Sequence, residues 1–110
     1  MLEATIRQIE ETLADAGNLS EAKRAELLKL LADLKTEVSG LSRTHRESAL
    51  SIADKTRASA DQATQENSDG PALETAVEEL KTAVGKFEAS HPALVSIVNA
   101  FCNALSDLGI

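Results

Sequence analysis

Apolar side chains recur at alternating intervals of four and three along most of this chain, the spacing that lines one face of an α-helix. Leu2, Ile6, Ile9 and Leu13 make the first stripe. Gly17-Asn18 should end it, with Gly17 able to take the left-handed conformation that closes a helix. Ser20 then reads as an N-cap, and Glu21 suits the positive end of the helix that follows. That second helix is the most strongly patterned. Leu27, Leu31, Leu34, Val38 and Leu41 form a single coiled-coil-like seam, which Leu28 and Leu30 widen.

Beyond Leu41 the bulky seam fades. The same frame meets His45, Ser48, Ile52, Lys55, Ser59 and Gln62, while a row of small residues appears beside it: Ala49, Ala53, Thr56, Ala60 and Ala63. Small residues at helical spacing either permit close approach by another helix or are good helix formers on a poorly buried face. The second, plainer reading is the expectation here. Nothing between Ser42 and Glu66 breaks a helix, and Gly40 alone costs only about 1 kcal/mol relative to Ala. A continuous helix over residues 20–66 would be about 70 Å long, against a radius of gyration of about 13 Å for a compact domain of this size. Such a helix either breaks near Gly40 to Ser42 or projects and pairs with a second chain. The expectation is a long projecting second helix and a homodimer.

Asn67-Ser68-Asp69-Gly70-Pro71 reads as a linker, its proline suited to the first helical position. Leu73, Val77, Leu80, Val84 and Phe87 resume the four-three spacing, with Glu78 and Lys81 placed to pair at (i, i+3). Ser90-His91-Pro92 should interrupt this helix and cap the next, through Ser90 or His91, because the residue before proline avoids the α region. The last stripe is Leu94, Val98, Phe101, Leu105 and Leu108, with Val95 and Ile97 alongside. Gly109 is placed to close it and Ile110 to fold back on Leu105. No charged side chain occurs from Pro92 to Ser106, although about a quarter of the chain is charged. This final helix is therefore expected to be the most deeply packed element.

Composition supports one all-α domain over residues 1–110: an N-terminal hairpin (1–66), the linker (67–71) and a C-terminal helical hairpin (72–110), together an antiparallel bundle. The net charge is −7, from 18 acidic and 11 basic residues, which opposes general binding to nucleic acid or anionic lipid. Residues 43–65 are the exception, with four cations against three anions. That stretch holds Arg43, Arg46, Lys55 and Arg57, but Glu47, Asp54 and Asp61 dilute it and no aromatic residue is there to stack on bases. It reads as a solvated face. A single cysteine, Cys102, makes no internal disulfide. The opening Met1-Leu2-Glu3-Ala4 lacks the pattern of a signal peptide, and Ala93 to Leu105 is too short to span a bilayer. A cytoplasmic protein is the expectation.

The chemically interesting residues are few. Cys102 lies on an uncharged helix more than two turns from its start, so it reads as a buried, inert thiol. His91 is eleven residues earlier, about 16 Å along a helix, and the two cannot form a local dyad. His91 itself reads as a turn residue. His45 falls in the seam position between Arg43 and Arg46, at the margin of a weak core or facing its symmetry mate across a dimer. No metal-ligand spacing, glycine-rich phosphate loop or converging carboxylate pair occurs, so no catalytic, cofactor-binding or metal-binding residue is assigned.

Phe87-Glu88-Ala89-Ser90-His91-Pro92, then Leu94, Val98, Asn99 and the ending Ala104 to Ile110, resembles the short bacterial proteins grouped as domain of unknown function 4404. Arg46-Glu47-Ser48-Ala49, Ser51-Ile52-Ala53, Ala58-Ser59-Ala60 and Ala63-Thr64 resemble longer members of that group. The resemblance implies a small helical bacterial protein and brings no activity or site residues with it.

The functional expectation is a non-enzymatic interaction module that self-associates, with Leu27, Leu31, Leu34, Val38, Leu41, Ile52, Val95 and Ile97 as the candidate interface. The alternatives are an adaptor that holds a partner's helix in a groove beside Val95 and Ile97, and a small ligand-binding or catalytic bundle using His91 and Cys102.

Overall fold

The computed structural model describes residues 2–17, 19–64 and 70–108, without the side chains of Gly70 and Leu108. The described residues form five helices: α1 Leu2–Asp15, α2 Glu21–Leu41, α3 Arg46–Thr64, α4 Gly70–Gly85 and α5 Pro92–Leu108. The described residues contain no strand, and the expected all-α bundle is what the chain forms.

The long projecting helix is not formed. Residues 42–45 turn the chain between α2 and α3, and the body measures 37 × 24 × 22 Å with a radius of gyration of 12.8 Å. Gly40 stays inside α2, so glycine is not the breaker. Hydroxyl groups cluster at the corner instead. Ser42 Oγ donates to the Ser39 carbonyl at 2.7 Å and Thr44 Oγ1 to the Leu41 carbonyl at 3.4 Å. The backbone tightens at the same place: Arg43 N–H bonds Gly40 O and Thr44 N–H bonds Leu41 O, both three residues back. Side-chain bonds of this kind offer the backbone an alternative to the α-helical ladder. Once turned, α2 buries its whole seam from Leu27 to Leu41 inside its own chain.

The α1–α2 corner is closed differently from the expectation too. No described glycine has a positive φ, so Gly17 does not supply a left-handed cap. Arg24 does that work from the next helix: its Nε donates to the Leu13 carbonyl at 3.2 Å and its Nη2 to the Ala16 carbonyl at 2.6 Å. These satisfy carbonyls that the end of α1 leaves unpaired. Ser20 is the N-cap of α2 as its sequence position implies, extended at φ −68° and ψ 160°, with its side chain accepting from Lys23 N–H at 3.1 Å.

Pro71 lies in the first turn of α4, and α4 already includes Gly70. Residues 67–69 of the expected linker lie outside the described residues, as do Gly109 and Ile110 with their expected closure of α5. Regular helix in α4 ends at Gly85, followed by tighter turns to Ser90. His91 takes the capping position of α5, its carbonyl accepting from Leu94 and Val95 N–H. The ion pairs among described residues are Lys23–Glu26, Lys23–Asp107 and Arg57–Asp54. Glu78 and Lys81 do not pair.

Packing produces two layers, α1–α3–α4 over α2–α5. α3 is in the middle: it contacts each of the other four helices, α4 and α1 most extensively. The small-residue row explains how. Ala49, Ile52, Ala53, Thr56, Ser59, Ala60 and Ala63 are all buried, and short side chains let four neighbours approach one backbone. The reading of this row as a poorly buried face is thus overturned. Thr56 and Ser59 meet their own needs by donating to the Ile52 and Lys55 carbonyls at 2.7 and 3.0 Å. Their burial leaves no hydroxyl without a partner.

α5 buries Leu94, Val98, Phe101, Cys102, Ala104 and Leu105. It is not the most deeply packed element, because Ala93, Ser96, Asn99, Ala100 and Asn103 remain exposed on its other side.

Candidate functional site

Six of the eight expected interface residues are interior. Leu27, Leu31, Leu34, Val38, Leu41 and Ile52 have no exposed surface within a single chain. The seam they form is the core of the monomer and is closed to a second copy. Val95 and Ile97 are half-buried and lie against that core. They are two residues apart on a helix, so they flank opposite margins of the outward face of α5 and do not line one groove together. On one side α2 reaches α5 through Lys23, 3.6 Å from Asp107. On the other side lies α4, whose Lys81 ammonium acts on Cys102. The outward face between these neighbours carries Ser96, Asn99 and Asn103, with Ala93 and Ala100 beside them and no formal charge before Asp107.

Both histidines come together at one end of the bundle, an arrangement that the sequence reading missed. His45, from the α2–α3 turn, meets the Phe87 ring edge-on at 5.2 Å between centroids and 74° between planes. His91 meets the same ring at 5.9 Å and 69°. Phe87 is buried, and the Lys86 ammonium lies 5.4 Å from its centroid. Thr44 Oγ1 lies 2.9 Å from His45 Nδ1 and orients that ring. Edge-to-face contacts of this geometry contribute about 0.5–1.5 kcal/mol each beyond area burial. Together they clasp the α2–α3 turn to the α4–α5 turn. Half of the cluster had a signal: Phe87 and His91 are four residues apart. His45 had none, because only the tertiary fold brings it there.

Cys102 is fully buried, and desolvation pushes its thiol up to about 11, with Lys81 pulling weakly the other way. It is a protonated thiol at neutral pH and lacks the electropositive, accessible setting of a nucleophile. His91 stands at the far end of the same helix, facing Phe87, so the structure does not join the two into a site. The described residues include no group of three or more His, Cys, Asp or Glu arranged to hold a metal ion.

The cationic stretch is split by helix geometry. Arg57 turns toward α1, donating from Nη1 to Gln8 Oε1 at 3.1 Å, whereas Lys55 lines the junction with α4 beside Glu78 and Glu79. Solvent-open hollows lie along these junctions and at the bundle end. The last is about 450 Å³, lined by Leu2, Glu3, Ser39, Ser42, Arg46 and Leu50.

No protein-family model, curated protein or solved structure matches the chain. No helix among the described residues is long and apolar enough to cross a membrane.

Proposed function

We propose that this chain is a non-enzymatic helical interaction module that self-associates through the outward face of α5. The observation that carries the reading is that face: five exposed uncharged positions, Ala93, Ser96, Asn99, Ala100 and Asn103, in a protein of net charge −7. Two copies of an acidic body repel one another wherever carboxylates meet, and approach through residues 93–103 of α5 brings only Asp107 near the contact, where Lys23 lies 3.6 Å from it. Asn and Ser side chains both donate and accept hydrogen bonds, so the same face on a second copy is able to satisfy them in the reciprocal manner of a two-fold contact. Val95 and Ile97 at the margins add apolar area, at roughly 25 cal/mol per Å² buried. A contact through one largely polar helix face belongs with the weak, reversible associations.

Membership of the resembled bacterial group and a cytoplasmic location are parts of the same proposal. The first rests on the matching residues of the C-terminal two thirds. The second rests on Cys102, a lone buried thiol that suits a reducing compartment. Light scattering over a concentration series tests the functional reading. The average mass should rise from monomer toward dimer between micromolar and millimolar protein. A mass that stays monomeric throughout would sink the proposal.

A further inference from the structure

We draw no further inference here: the strongest candidate, the His45–Phe87–His91 ring cluster joining the two interhelix turns at one end of the bundle, carries nothing because its rings pack on one another in the structural clasp already described, and nothing beside them points to a ligand.

Discussion

α3 carries six charged side chains and α5 only one, yet α3 is the helix that touches all four others, while α5 keeps an open, uncharged outer face. The difference shows that the number of charges along a helix does not report how closely its inner side is packed. Arg46, Glu47, Asp54 and Arg57 are exposed on the outside of α3 and say nothing about how tightly its inside is gripped. That grip depends on side-chain size, because small residues admit several neighbouring backbones at once. α5 shows the converse. Its bulky residues fill one side, and the absence of charge from Pro92 to Ser106 marks an exposed polar surface opposite them, not a buried one.

The largest effect expected from probing this contrast is on the filled side of α5. Phe101 has no exposed surface, so Phe101→Ala should lower unfolding free energy by about 3–5 kcal/mol in a urea titration. A loss under about 1 kcal/mol would mean that the helix is less firmly seated than its burial implies. Next comes the tight side of α3. Ala60 is fully buried among helices, and Ala60→Leu should cost about 1–3 kcal/mol by overpacking. If the larger side chain were neutral or stabilising, the close-packed account of α3 would be wrong.

Cys102 sharpens the comparison through pH. Its thiol is raised from 9.0 to about 11 in the folded protein, so between these values the unfolded chain loses a proton that the folded chain keeps. The sign follows from linkage: stability from this group is fully present below pH 9 and falls as pH rises toward 11. Cys102→Ala should flatten that part of the stability–pH curve relative to the unsubstituted protein, measured by denaturant titration at each pH. An identical slope in both proteins would place the thiol in water. The smallest effect belongs to the open side of α5, where Ala100→Leu should change stability by no more than about 0.5 kcal/mol.

The sequence made the seams legible. The stripes Leu27 to Leu41, Leu73 to Phe87 and Leu94 to Leu105 are all buried as their spacing implies, because a bulky apolar stripe has one stable place to go. Ser20 was legible for a local reason, since an N-cap needs only its own helix. The corner at residues 42–45 was not. Neither glycine nor proline occurs in residues 42–45; three-back backbone bonds from Arg43 and Thr44 and hydroxyl bonds from Ser42 and Thr44 accompany the turn, and folding back buries the α2 seam. The α3 row was misread for a related reason: Ala and Ser carry little hydrophobic signal, and their burial is decided by what packs on them. Six of the eight candidate interface residues, Leu27 to Ile52, were misplaced with it, while Val95 and Ile97 keep partial exposure. A seam assigned to a second chain was needed by the first, and what stays exposed on α5 from Ala93 to Asn103 is a face without formal charge that periodicity alone does not flag.

Sedimentation equilibrium of three proteins at about millimolar concentration decides whether α5 is the contact: the unsubstituted chain, Ala58→Glu on the charged outer face of α3, and Ala100→Glu on the uncharged outer face of α5. Both positions are exposed, so both variants should keep their helix content by circular dichroism. The account predicts association in the unsubstituted chain, the same association in Ala58→Glu and a monomer in Ala100→Glu. Association lost in Ala58→Glu and retained in Ala100→Glu, or absent from all three, would contradict it.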